Sequence, residues 1–214
     1  MSIGDKDNGA KKLSWDKLRK SLKAENLSFS VSHRHIDVSY LKDAQIKSVY
    51  SFERFWMLPL ILEAYNLPVL VADLDQLPLR NPTGLLDKEF DAAVLKFPKG
   101  VLNILSVISA TLSVFRPSPQ GHLLAKQLSD YFTSAFSNEA KLNWHVDQAG
   151  LAVMDYKNKD ANIIYLDHNL VVTDPSKQDP IEAAEDGAWF WSVTNSIQGN
   201  SKKLDLYNEM VGNK

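Results

Sequence analysis

Pro68-Val69-Leu70-Val71-Ala72-Asp73-Leu74-Asp75 is a short unbroken apolar run that closes on two acidic residues. An apolar run of this length between polar neighbours is the pattern of a strand covered on both faces, as in a parallel sheet lying under helices. Side chains alternate along a strand, so Asp73 and Asp75 leave it on the same side, at the mouth of the sheet. The carboxyl ends of strands are also where α/β sheets bind their ligands.

Upstream of this run, Phe52, Phe55, Trp56, Ile61, Leu62 and Tyr65 recur at helical spacing, with Pro59 placed to kink or restart the helix. Earlier still, Leu27, Phe29 and Val31 alternate with serines as in a strand, and Trp15, Leu18 and Leu22 mark a short helix with Ser14 as its N-cap. Downstream, strands are expected at 91–95, 110–115, 163–166 and 189–193, and helices at 121–136 and 146–154. Helices alternating with strands predict an α/β fold built on a mainly parallel sheet flanked by helices. Residues 1–12 are polar and rich in Gly, Asn and Lys and read as a disordered lead-in, leaving 13–214 as one domain. No internal repeat is visible.

Composition narrows the functions. The chain has 214 residues, 44% of them hydrophobic, enough for one domain that buries roughly 70% of its unfolded surface. Twenty-four Lys and Arg against 26 Asp and Glu leave a formal charge of -2, which lacks the basic footprint of non-specific nucleic-acid binding. Zero cysteines exclude disulfides, thiolate zinc sites and thiol catalysis. No apolar run approaches the ~20 residues that span a bilayer, and the amino terminus lacks the apolar core of a signal peptide. The expectation is a soluble, cytoplasmic chain.

Chemistry begins at Asp73 and Asp75. Carboxylate oxygens suit hard cations such as Mg²⁺ or Mn²⁺, which bridge phosphate oxygens and neutralise charge on a departing diphosphate. His33 and His35 alternate near a strand end, but no third donor stands beside them in the sequence, and a polar strand edge explains them. His122 and His168 are isolated. His145 precedes Asp147 closely enough to line a common cleft and is the one histidine to test as an acid or base. Phe52 and Phe55, and the run Trp189-Phe190-Trp191, are expected in the core.

Tyr50-Ser51-Phe52-Glu53-Arg54-Phe55, Leu58-Pro59, the run from Pro68 to Asp75, and Leu79-Arg80-Asn81-Pro82 follow one another in an order that resembles the GT-A nucleotide-diphospho-sugar transferases. The similarity is greatest to the glycogenin-like and lipopolysaccharide galactosyltransferase-like branch. It continues at Asn103, at Ser109-Ala110-Thr111, and from Trp144 to Leu151, where Asp147-Gln148 resembles an Asp-Gln motif, so that it covers residues 48–155.

The resemblance implies a glycosyltransferase that moves a sugar from a nucleotide-diphosphate sugar to an acceptor. Asp73 and Asp75 would hold Mn²⁺ or Mg²⁺, Arg54 would steady the donor, and Asn103, Ser109, Ala110 and Thr111 would lie beside the donor sugar. Asp147 would meet its hydroxyls near the reacting carbon, with Gln148 orienting the carboxylate. The family's late His-x-x-Gly-x-x-Lys pattern is matched by Ser196-Ile197-Gln198-Gly199-Asn200-Ser201-Lys202, which keeps Lys202 for a diphosphate but replaces the metal-binding His. The family's opening strand, part of the nucleotide pocket, has no counterpart before Trp15. The expectation is a truncated chain with weak or absent turnover.

Two other readings accompany this one. A non-catalytic GT-A-like binding or scaffold domain suits the two departures. A haloacid-dehalogenase-like phosphatase also carries Asp-x-Asp after an apolar strand, but Leu77 stands where that family resembles a Thr, and two helices precede the strand.

Overall fold

The computed structural model describes residues 36–73, 76–97, 107–143, 145–174, 178–192, 205, 206 and 209. The chain divides into two units, Met1–Lys42 and Asp43–Lys214. The helix and strand expected before residue 33, and a boundary after residue 12, lie outside the described residues. In the first unit the described segment forms a turn in which Asp37 Oδ1 accepts from the Ser39 backbone N–H and hydroxyl.

The second unit opens with α1 (Asp43–Trp56) and α2 (Leu58–Tyr65). The break between them falls where Pro59, at the start of α2, has no N–H to continue the ladder of α1. Asn66 ends α2 in the left-handed region, φ 48°, where its N–H reaches Leu62 O. β1 (Val69–Ala72) and β2 (Gln76–Pro78) follow, then a 3₁₀ turn, Pro82–Asp87, capped by Asn81. β3 (Ala92–Lys96), β4 (Ile108–Phe115), α3 (Pro119–Phe136), α4 (Val146–Lys157) and β5 (Ile163–Asp167) come next. β6 (Val171–Val172), α5 (Pro180–Glu185) and β7 (Phe190–Ser192) complete the elements considered below.

The fold is mixed α/β, with a four-stranded sheet in the order β1-β4-β3-β5 and a three-stranded sheet in the order β2-β7-β6. β4 runs antiparallel to both β1 and β3, while β3 and β5 are parallel. In the second sheet β2 is antiparallel and β6 parallel to β7. The described sheets are therefore mixed, where the sequence pattern predicts a mainly parallel one. The reason lies in the connection. Parallel neighbours need a crossover of about a dozen residues or more, usually a helix. Residues 97–107 stand at the lower limit of that length, and Phe97 N–H bonds Val107 O at 3.0 Å, continuing the antiparallel ladder.

β4 separates two layers. Leu112 and Val114 join Phe90, Leu95, Leu166 and Phe190 in a core on one face. The β3–β4 register shifts between Val94 and Leu95, and Ser113, alternating with Leu112 and Val114, belongs to the opposite face. There the helices meet around aromatic rings: Phe52 stacks on Phe132 at 4.9 Å between centroids, and Phe55 lies 6.1 Å from the same ring. All three are fully buried, each burial contributing about 1.5–3 kcal/mol. Trp56 Nε1 donates to Thr133 Oγ1 and Ser129 Oγ donates to Trp56 O, so the end of α1 is tied to α3.

Candidate functional site

Arg54 is in the last turn of α1, a helix anchored through Phe52, Phe55 and Trp56, so its side chain starts from a fixed base. Its guanidinium reaches three other segments of the chain. Nη1 lies 2.5 Å from Asp73 Oδ1, just past the end of β1. Nη2 donates to Ala110 O of β4 at 2.9 Å and lies 3.3 Å from Asp147 Oδ2 in the first turn of α4. Nε is buried and has no hydrogen-bond partner.

The strand backbones set these positions. Asp73 N–H donates to Thr111 O at 3.3 Å, extending the β1–β4 pairing by one residue and holding the carboxylate at the strand end. Ser109 Oγ and Thr111 Oγ1 are 2.8 Å apart on β4. Arg54, Asp73, Ala110 and Asp147, separated widely in the chain, thus meet at one guanidinium, with the two hydroxyls on the adjoining strand.

Burial is uneven across the cluster. The Asp147 side chain is 8% exposed, Arg54 21% and Asp73 30%. Burial pushes the Asp147 carboxyl above its ordinary value. Arg54, the backbone N–H groups of Gln148 and Asp147, and His145 pull it back, and burial prevails. One group therefore pairs with Arg54 in a shielded place, while Asp73 stays open to water.

Gln148 holds Asp147 through its main chain. Its backbone N–H, not its side chain, donates to Asp147 Oδ1 at 2.8 Å, and its own Oε1 is buried without a hydrogen-bond partner. His145 occupies the N-cap of α4 without capping it, and its Nδ1 is likewise buried and unbonded. Glu53, beside Arg54 on α1, is fully buried, and sequence reasoning passes over it because an acidic residue on a helix ordinarily faces water. Asp75, Asn103 and Lys202 lie outside the described residues, as do Ser196, His33 and His35.

Carboxylate oxygen is the right chemistry for Mg²⁺ or Mn²⁺, and Asp73, partly exposed at the strand end, fits as one ligand. Its Oδ1 already faces a cation, however. Among the described residues no group of three or more His, Asp or Glu is gathered to hold a metal. No described helix is long and apolar enough to cross a membrane.

The architecture and cluster define a mixed α/β protein with a bridged arginine–carboxylate site at a strand end. No family model matches the chain, and no curated protein matches it.

Proposed function

We propose that this chain carries the catalytic residues of a GT-A type glycosyltransferase, moving a sugar from a nucleotide-diphosphate sugar to an acceptor with Mn²⁺ or Mg²⁺ at Asp73 and Asp75. A single observation carries the reading. Arg54, Asp73, the 109–111 segment and Asp147 are picked out by resemblance to that family, and they converge on one guanidinium.

The residues have suitable chemistry for these roles. Arg54 presents a rigid fork that takes phosphate or sugar oxygens as readily as carboxylates. Asp147, held by Arg54 and by the Gln148 N–H, accepts hydrogen bonds from donor-sugar hydroxyls and opposes positive charge as the glycosidic bond loosens. Ser109 and Thr111 offer hydroxyls to the same sugar, and Asn103 and Lys202 are assigned to donor and diphosphate by the resemblance alone. When bound, the divalent cation supplies charge neutralisation on the departing diphosphate.

The test is calorimetry and donor hydrolysis with a panel of nucleotide sugars, with and without Mn²⁺. Metal-dependent binding that Asp147→Asn weakens or that loses turnover is the expected result. Binding of no nucleotide sugar under any condition would sink the proposal, and turnover of a generic phosphate ester would favour the phosphatase reading instead.

A further inference from the structure

We propose that the crease between α3 and α4 binds a small organic acid, an apolar body bearing one carboxylate. The carboxylate meets Lys157 and the Tyr131 hydroxyl, and the apolar body lies on Met154. None of the residues lining the crease belongs to the Arg54 cluster, so this site is additional to the one assigned to the transferase.

Two helices running in opposite directions make the walls. At one end Gln127 of α3 pairs with Asn158 just past α4, each amide donating to the other, at 3.0 and 2.6 Å. At the other end Gly150 of α4 faces Tyr131 and Phe132 of α3. Between these contacts a cavity of about 330 Å³ remains, at the small end of the range that holds ligands. Gly150, Val153, Met154 and Lys157 line it from α4, at the spacing of one helix face. Met154 is 2% exposed and gives the cavity an apolar floor. The Tyr131 ring stands edge-on to Phe132, with centroids 5.3 Å apart, which fixes the facing wall.

Charge decides the class of ligand. Asp130, also on the lining, is engaged by Lys126 at 2.6 Å. Lys157 has no such counterpart: its ammonium makes no ion pair or hydrogen bond with any described residue. Lys126 and Lys157 against Asp130 leave one positive charge in excess, which selects an anion. The Tyr131 hydroxyl likewise bonds no described residue. Burial pushes that phenol above its ordinary value, so it remains an O–H donor. An ammonium and a hydroxyl beside apolar surface match one carboxylate on a hydrocarbon body. A purely apolar ligand would cover the Tyr131 hydroxyl without bonding it, which disfavours that occupant.

The probe is hydrocinnamate, with hydrocinnamamide as its uncharged counterpart, titrated into the full chain and followed by calorimetry and amide NMR spectra. The wild type is expected to bind the acid with a Kd of about 1 mM or tighter. The amide, lacking the charge-assisted bond, should bind at least about tenfold more weakly. Spectral shifts should centre on the residues lining the crease. Lys157→Gln, at an exposed position, should bind acid and amide alike. Val153→Phe, which fills the cavity, should bind neither. If circular dichroism shows that Val153→Phe misfolds, the Lys157→Gln comparison decides alone. No binding by the wild type, equal affinity for acid and amide, or a preference for the acid that survives in folded Lys157→Gln overturns the proposal. Shifts centred on Arg54 and Asp147 overturn it too, because they place the acid on the guanidinium. Each of these outcomes is independent of nucleotide-sugar binding, so the crease and the transferase reading fail separately.

Discussion

Arg54 Nη2 lies 3.3 Å from Asp147 Oδ2, joining the last turn of α1 to the first turn of α4 across 93 residues of chain. The carboxylate in this pair is nearly shielded from water, so its charge depends on what faces it. The groups that do so are Arg54 from α1, His145 and the backbone N–H groups of α4 itself. Asp73, past the end of β1, shares the same guanidinium.

Deleting the base should therefore cost more than deleting the acid. Arg54→Met leaves Asp147 shielded without its main counter-charge, a loss of about 2–4 kcal/mol at neutral pH. The loss should shrink at acidic pH, where Asp147 protonates. Urea denaturation at two pH values checks this, and an equal loss at both would show that packing, not charge, is responsible.

Asp147 should also give stability a recognisable pH slope. Its folded pKa is raised, so between the ordinary unfolded value of about 3.9 and the folded value the native state holds more protons than the unfolded state. Its contribution to stability therefore falls as pH rises through that window. Asp147→Asn removes the slope while Arg54 keeps Asp73, so the variant should gain on the wild type as pH rises from the ordinary carboxylate value through the raised folded one. Denaturant midpoints measured across that range decide the matter, and a variant that loses ground with rising pH would contradict it.

Gly150 is a third point of sensitivity. In a helix interior Gly→Ala usually stabilises by up to about 1 kcal/mol. Here a Cβ would stand 2.7 Å from Phe132 Cζ, and that ring cannot retreat because it is fully buried and stacked on Phe52. Overpacking costs about 1–3 kcal/mol, so Gly150→Ala should lower the thermal midpoint. A rise would mean that α4 moves away from α3 without penalty.

The fourth prediction concerns α5. Asp179 accepts from the N–H groups of Ile181 and Glu182, and Glu182 returns a bond from the Asp179 N–H, closing a capping box ahead of a six-residue helix. Asp179→Ala should cost about 1 kcal/mol. Ala183 and Trp191 share the small core beneath, and Trp191 Nε1 bonds Gln178 O beside the cap. The change should therefore appear as faster hydrogen exchange at the Trp191 indole N–H, with α1 and α3 unaffected.

The sequence by itself determined which segments are strands and helices wherever one period dominates. The break at Pro59 and the helices α3 and α4 are legible because burial on one face writes its spacing into the chain, and β1 and β3 to β5 are legible as short apolar runs, although β1 is an edge strand with Leu70 exposed and not a strand covered on both faces. The core roles of Phe52, Phe55 and Trp191 follow from the same physics. α5 was not among the expected helices: its capping residues, Asp179-Pro180-Ile181-Glu182, stand in the sequence, but its few residues carry too little periodicity to stand out. β2 and β6 are shorter still and take their form from pairing with β7. Strand direction and the partners of each strand could not be read, since pairing is chosen between distant segments. The candidate site divides the same way. Residue types and their order named Arg54, Asp73 and Asp147 one at a time, whereas only the tertiary structure brought them to one guanidinium. It also assigned the orienting bond to the Gln148 backbone, because hydrogen bonding and desolvation depend on distances in space that a linear spacing does not contain.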